Sequence, residues 1–329
     1  MQGGRCNLPA AKAYAVNVTV VPQEPLRWLT VWPSGVVMPF VSLLNSYDGR
    51  IKASSSIVVT GDDGAINIFA SDTTHVIVDV TGYFVETSQS KFHPLVPCRV
   101  VDTRISDLGY PFVPALTERQ FPMQSTACGV PADADGYAVN FTAIPKRGSM
   151  TWMTAWPSGT DRPLASIINV PMPGPTANSA IIQGGSGSNI SVYGSDDFDL
   201  VVDVNGYFSS SEPGGYSFYP TNPCRLVDTR QSQTQAPVDG TMSVTAAGAC
   251  GISTAASVIA GVVTAVPNGR LGWLTLWPQG DKPTASNLNA YDGTVTSNFT
   301  LTPLAGGSFS AFVTDPSHLI YDVAGYFAP

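Results

Sequence analysis

Apolar and polar residues alternate with a period of two along most of this chain. Residues 15–21 alternate and end at Pro22, and residues 28–32 form a short run of β-branched and aromatic side chains. Neighbouring side chains of a strand point to opposite faces, so this period predicts strands with one buried face. No window of about 12 residues shows an apolar helical stripe free of Gly and Pro. Short strands separated by Gly, Pro, Asp and Asn predict an all-β fold.

The chain repeats itself three times at a spacing of about 120 residues. The sequence Asp-Val-x-Gly-Tyr-Phe begins at Asp79, Asp203 and Asp322. Two further markers, Trp-x-Thr-x-Trp-Pro and then Pro-x-x-Ser-x-x-Asn, precede it each time in the same order. This period is that of a domain and exceeds the period of a solenoid or propeller repeat. We therefore expect three tandem antiparallel β-sandwich or jelly-roll-like modules, rather than trefoils, over residues 1–90, 91–213 and 214–329.

A fourth marker occurs only twice. Phe-x-Pro followed by Pro-Cys-Arg-x-Val-Asp-Thr-Arg starts at Phe92 and at Phe218 and opens the second and third modules. The first module is expected to lack this opening segment. Each complete module should contain seven or eight strands, and the short polar linkers predict modules arranged like beads, with neighbours in contact.

Five cysteines leave two possible pairings. Disulfides Cys98–Cys128 and Cys224–Cys250 would close two short loops of similar length and leave Cys6 unpaired or bonded to another molecule. The alternative joins Cys6 to Cys98 and Cys128 to Cys224 and leaves Cys250 free. The short loops match the module boundaries and are favoured. Either pairing predicts an oxidising compartment.

Asp and Arg residues recur at equivalent positions of the repeats and could form ion pairs or a catalytic site. An Asp and an Arg two residues apart on a strand share one face and can form a bidentate ion pair. The carboxylates inside apolar strands need partners, which backbone N–H groups or the arginines of the Asp-Thr-Arg sequence could supply. We expect structural ion pairs, not catalysis, at Asp102, Arg104, Asp228, Arg230, Asp203 and Asp322.

All six tryptophans lie in the Trp-x-Thr-x-Trp sequences. Their spacing places both indoles of a pair on one face of a strand. An exposed aromatic face would suit stacking on sugar rings, whereas a buried one would serve the core or a contact between modules. The sequence leaves both interpretations open for Trp28, Trp32, Trp152, Trp156, Trp273 and Trp277.

Composition narrows the function classes. There are 16 Lys and Arg against 24 Asp and Glu, for a net charge of −8, and only 12% of the residues are charged. A net negative chain without a basic cluster is a poor partner for nucleic acid or for anionic membrane surfaces. No apolar run is long enough for a transmembrane helix. There is no Cys-x-x-Cys or Cys/His cluster, nucleophile elbow or phosphate-binding loop, so we expect no metal, no cofactor and no enzyme.

These ordered motifs resemble a tandem repeat domain of exported bacterial proteins. The resemblance is carried by Pro-Cys-Arg-Val-Val-Asp-Thr-Arg, Cys-Gly-Val-Pro, Trp-Leu-Thr-Val-Trp-Pro-Ser-Gly and Val-Asp-Val-Asn-Gly-Tyr-Phe, and it covers essentially the whole chain. The resemblance implies an extracellular structural or adhesive role and supplies no catalytic residues.

The sequence therefore predicts a non-enzymatic extracellular or cell-surface protein. Its modules would assemble with copies of themselves into a surface layer, fibre or tube. The alternative is a carbohydrate-binding or adhesion protein that uses the Trp faces to bind glycans.

Overall fold

The chain folds almost entirely into antiparallel β-strands. A computed structural model describes residue 6 and residues 8–105, 111–231 and 235–329. Within these residues the only helical segments are two short 3-10 turns, Ser186–Ser188 and Thr229–Gln231. The all-β fold class that the period of two predicts is confirmed. Residues 1–90, 91–213 and 214–329 form the first, second and third repeats of the sequence.

The second repeat forms two stacked four-stranded sheets, in the orders β12-β9-β14-β7 and β11-β10-β13-β8. Apolar side chains from both sheets fill the space between them, among them Phe121, Phe141 and Phe198. The strands are β7 (Lys91–Asp102), β8 (Arg119–Pro122), β9 (Gly136–Pro145), β10 (Met150–Pro157), β11 (Ile168–Val170), β12 (Thr176–Gln183), β13 (Asn189–Gly194) and β14 (Phe198–Ser209).

The third repeat has the same arrangement built from seven strands. Its last strand is long and belongs to both sheets: its first half pairs with β16 and β18, and its second half pairs with β15 and β17. The strands are β15 (Ser217–Asp228), β16 (Val238–Thr245), β17 (Val258–Pro267), β18 (Leu271–Trp277), β19 (Leu288–Ala290), β20 (Thr296–Pro303) and β21 (Ser308–Ala328).

The first repeat has two three-stranded sheets, in the orders β4-β1-β6 and β3-β2-β5. Within the described residues, neither sheet has a counterpart of the edge strands β7 and β8 or β15 and β16. The strands are β1 (Ala13–Pro22), β2 (Leu26–Pro33), β3 (Leu44–Ser46), β4 (Lys52–Val59), β5 (Ile66–Ala70) and β6 (Thr74–Phe84).

The second and third repeats each have an apolar core of their own, and a further apolar cluster joins all three repeats. Phe84, Phe208 and Phe327, the last residues of the three Gly-Tyr-Phe sequences, form a triangle with centroid distances of 6.2, 6.1 and 6.3 Å. Side chains of all three repeats, such as Val16, Ala138 and Val262, belong to the same buried cluster. The expected contact between neighbouring repeats is therefore present, but their arrangement as a row of beads is wrong. The repeats surround a common axis because three identical aromatic positions converge there. That each repeat is a separate module stays a prediction.

Candidate functional site

Two disulfides anchor the opening strands of the second and third repeats. Cys98 is bonded to Cys128 and Cys224 to Cys250, which closes the short loops of 30 and 26 residues. Cys6 is exposed and carries a free thiol. The long-loop pairing is absent from these described cysteines. Two disulfides are typical of a protein that folds in an oxidising compartment.

Each Asp-Thr-Arg sequence folds its own Arg back onto its own Asp. Arg104 donates two hydrogen bonds to the Asp102 carboxylate, at 2.8 and 2.6 Å, and Arg230 binds Asp228 at 2.8 and 2.7 Å. Against the effect of burial, these bonds hold the pKa of Asp102 below its usual range. Both pairs are structural contacts at the end of a strand.

A different Arg reaches the carboxylate inside the apolar strand. Arg99 binds Asp203 through two hydrogen bonds of 2.9 and 3.2 Å, and Arg225 binds Asp322 at 2.8 and 2.9 Å. The expectation that Arg104 and Arg230 would be these partners is wrong. The strand register explains the difference, because Arg99 lies directly opposite Asp203 and Arg225 directly opposite Asp322.

The same carboxylates also join one repeat to the next. Asp203 accepts the backbone N–H of Ser286 from the third repeat at 3.1 Å. Asp322 accepts the backbone N–H of Ser42 from the first repeat at 2.8 Å. The first and second repeats meet at Ser166, whose carbonyl accepts a hydrogen bond from Asn17 at 2.7 Å and whose backbone N–H lowers the pKa of Asp79. The three joints run from first to second, second to third and third to first, so the repeats form a closed ring.

Buried asparagines reinforce two of the three joints. Asn178 donates to the side-chain oxygen of Asn17 at 2.9 Å, and Asn298 donates to Asn140 at 2.7 Å. All four are almost fully buried. A buried amide is costly unless its hydrogen bonds are made, so these pairs fix the relative position of neighbouring repeats.

The third joint is built differently. Val262 replaces the first Asn of the pair and Ser54 replaces the second, as their strand registers show. A cavity of about 40 Å³ lies beside Val262 and Asp322 at this joint. The contact between the third and first repeats instead includes the Asp322–Ser42 bond and an ion pair of 3.0 Å between Arg50 and Asp292.

Sequence reasoning missed the role of the Ser in Pro-x-x-Ser-x-x-Asn. The backbone N–H of this Ser makes the contact with the carboxylate of another repeat. The identity of its side chain therefore gives no indication of the contact. The Asn of this motif holds its own loop. Its amide donates to a backbone carbonyl near the start of the preceding Trp strand, from Asn45 to Arg27, from Asn169 to Thr151 and from Asn289 to Gly272.

The three carboxylates at the joints differ in electrostatic environment. Burial raises the pKa of Asp203 and Asp322, and their arginines work against this rise. Burial also raises the pKa of Asp79. Within the described residues, the Ser166 N–H is the one group that lowers the pKa of Asp79, and no Arg binds it.

The two tryptophans of each Trp-x-Thr-x-Trp sequence have separate roles. The second indole donates its N–H to a carbonyl of the following loop, with Trp32 bound to Val36, Trp156 to Thr160 and Trp277 to Gly280. Trp156 and Trp277 are buried, whereas Trp32 is half-buried. The first indole lies at the surface beside another aromatic ring, with centroid distances of 5.9 Å for Trp28–Phe69, 5.6 Å for Trp152–Tyr193 and 6.5 Å for Trp273–Phe312.

The side of the first repeat formed by β5 and β6 is uncovered. Ile77 of β6 is 49% exposed, whereas its equivalents Val201 and Ile320 are 2% and 6% exposed. Ile68 of β5 is likewise exposed, although its equivalent Val192 is buried. Positions that are core in two repeats are thus surface in the first.

The histidines His93 and His318 make structural contacts. His93 stacks on Tyr207 with a centroid distance of 4.9 Å, and Nδ1 of His318 shares a hydrogen bond with Thr229. The described residues contain no group of His, Cys, Asp or Glu suited to a metal ion. No helix in that part of the chain is long and apolar enough to span a membrane. Comparison of the chain with protein-family models and with curated proteins found no match.

Proposed function

We propose that this protein is a non-enzymatic structural protein of the extracellular space or cell surface, which assembles with copies of itself into a layer, fibre or tube. The observation that carries the proposal is an apolar loop in the first repeat, residues 36–40. Val37 is 88% exposed and Phe40 is 79% exposed, and Val36 and Met38 beside them are also exposed. Contiguous exposed apolar side chains mark a contact surface for another protein.

The other repeats show that an apolar loop is not required by the fold. Val37-Met38 of the first repeat corresponds to Asp161-Arg162 of the second and to Asp281-Lys282 of the third. All three loops lie between equivalent strands and end at the Ser that forms a joint. A charged pair suffices for the loop, so the apolar pair supports a role in binding another copy.

Light scattering over a range of concentrations, with electron microscopy of the product, tests this proposal. The double variant Val37→Asp/Met38→Arg gives the loop the residues of the second repeat and should reduce assembly at least tenfold at a given concentration. The matched control Asp281→Ala/Lys282→Ala changes the same positions of the third repeat and should leave assembly intact. A native protein that stays monomeric at high concentration would contradict the proposal.

The surface aromatic pairs support carbohydrate binding as a second candidate. Each pair has a cation over one of its rings: Arg27 lies 5.4 Å from Trp28, Arg162 lies 4.0 Å from Tyr193 and Lys282 lies 4.7 Å from Phe312. Aromatic rings flanked by hydrogen-bond donors suit the apolar faces and hydroxyl groups of sugars.

A glycan array with the native protein tests this candidate. Trp273→Ala should weaken a signal without unfolding the protein, because Trp273 is 40% exposed. Trp28→Ala and Trp152→Ala should each weaken it. The absence of any glycan signal, or a signal that survives the three substitutions combined, would eliminate the candidate.

A further inference from the structure

The uncovered edge of β6 lies where the other two repeats bind a strand. β14 continues its sheet to β7, and the second half of β21 continues to β15. β6 is the last strand of its sheet in the described part of the chain. Its unpaired N–H and C=O groups can accept a strand from another polypeptide.

An aromatic position beside this edge is vacant. Phe92 lies between two corners of the central triangle, 5.0 Å from Phe208 and 4.8 Å from Phe327. Phe218 lies in the same way between the corners Phe327 and Phe84, at 5.2 Å from Phe327 and 5.0 Å from Phe84. Among the described residues no ring is placed in this way between Phe84 and Phe208. A cleft of about 650 Å³ lined by both rings lies there.

The glycine of Gly-Tyr-Phe gives independent evidence for this vacancy. A Cβ on Gly325 would lie 2.5 Å from the ring of Phe218, and a Cβ on Gly206 would lie 2.6 Å from the carbonyl oxygen of His93. Both positions must be Gly because the opening strand passes so close. A Cβ on Gly82 would meet only the Cβ of Ala15, at 3.8 Å. In the first repeat no opening strand among the described residues occupies the space beside this glycine.

Three polar or aromatic groups of the first repeat also lack the partner that their equivalents have. No Arg binds Asp79 within the described residues, whereas Arg99 and Arg225 bind its equivalents. Tyr83 is more than half exposed, whereas Tyr207 stacks on His93. Cys6 has a free thiol at the sequence position of Cys128 and Cys250, which are both disulfide-bonded.

We propose that β6 and the adjoining cleft bind an extended polypeptide segment that carries Phe-x-Pro followed by Pro-Cys-Arg. The registers of β7 and β15 fix how it lies. The Phe of the segment faces Phe84 and fills the cleft, the Pro faces Gly82, and the Arg faces Asp79. An arginine beside a half-buried carboxylate is the charge complement that this edge lacks.

The cysteine of the bound segment then forms a disulfide with Cys6. The two thiols lose two electrons and two protons, and a small-molecule disulfide accepts both and leaves as two thiols. The new bond would correspond to Cys98–Cys128 in the second repeat. This site is distinct from the apolar loop at residues 36–40, so it goes beyond the proposed self-assembly.

A synthetic peptide with the sequence of residues 91–104 tests the proposal on the full chain. Fluorescence anisotropy under reducing conditions should show saturable binding to the native protein. Binding should weaken at least tenfold for Asp79→Asn, for Gly82→Val and for a peptide carrying Arg99→Gln. Asp62→Asn, which alters an exposed turn of the same repeat, is the matched control and should bind as the native protein does.

Formation of the disulfide can be measured separately from reversible binding. With oxidised glutathione present, mass spectrometry should detect one covalent adduct at Cys6, and Cys6→Ser should abolish the adduct while leaving reversible binding intact. Failure of the peptide to bind, or equal binding by Gly82→Val and Asp79→Asn, would overturn the proposal.

Self-association gives a separate outcome. The native protein could form a dimer that is lost in Gly82→Val and that excess peptide does not dissociate. Such a result would place a second copy on this edge and overturn the proposal. The proposed self-assembly would survive that result. Conversely, a monomeric protein that binds the peptide would refute self-assembly and support the strand site.

Discussion

At the scale of single residues, one carboxylate position has two different environments. Asp203 is almost fully buried and bound by Arg99, whereas Asp79 is half-buried and, in the described part of the chain, lacks an arginine. A buried charge is tolerated when it is paired and is costly when it is not. The same substitution at these two positions should therefore have opposite effects on stability.

We expect Asp203→Asn to lower the free energy of unfolding by about 3 kcal/mol, because it breaks the paired hydrogen bonds from Arg99 and leaves that guanidinium only its longer contact with Asp102, at 3.3 Å. Asp79→Asn should raise the midpoint of thermal unfolding at pH 7, because it removes a carboxylate that burial disfavours. Thermal unfolding of both variants beside the native protein measures the contrast. Equal destabilisation by the two substitutions would contradict it.

The benefit of Asp79→Asn should also depend on pH. Burial raises the pKa of Asp79 above its unfolded value, so the folded protein binds this proton more tightly than the unfolded chain. The carboxylate then destabilises the fold at neutral pH, and this penalty disappears as the pH falls below the folded pKa. The stability difference between Asp79→Asn and the native protein should shrink on acidification, and a constant difference would rule this out.

At the scale of strands, the sequence indicates far more about local structure than about contacts between repeats. The alternating residues 15–21 lie in β1, and the Trp sequences lie in β2, β10 and β18. These features depend on neighbours along the chain, so their period and turn residues reveal them. The Asp203–Ser286 bond depends on a backbone N–H 83 residues away, which no side-chain pattern reports.

The disulfides fasten the opening strands β7 and β15 to the body of their repeats. Cys224 and Cys250 close a loop of 26 residues. Removing such a cross-link increases the conformational entropy of the unfolded chain and typically costs about 3 kcal/mol. Cys224→Ser/Cys250→Ser should lower the free energy of unfolding by this amount, measured by denaturant titration. Cys6→Ser is the control and should have no effect on the isolated chain.

At the scale of the whole molecule, the central triangle makes the three repeats energetically dependent on one another. Phe327 is fully buried and contacts Phe84 and Phe208 from the other repeats. A core shared in this way favours unfolding as a single unit, whereas beads on a chain would unfold separately.

Phe327→Ala should therefore destabilise the entire molecule by about 3–5 kcal/mol, the usual cost of deleting a buried Phe side chain. Scanning calorimetry should show one transition in the native protein and one transition, at lower temperature, in the variant. Separate transitions of which only one moves would show that the repeats are independent.

Closure of the ring sets the order of events during synthesis. The bond between Ser42 and Asp322 spans 280 residues, so the first repeat emerges from the ribosome long before its last partner exists. At about 5–20 residues per second, this delay lasts roughly 15–60 s. Throughout that interval the nascent chain presents Phe84 and the strands around it without their final neighbours. A chaperone that shields apolar surface should therefore engage the first repeat, and release should follow translation of β21.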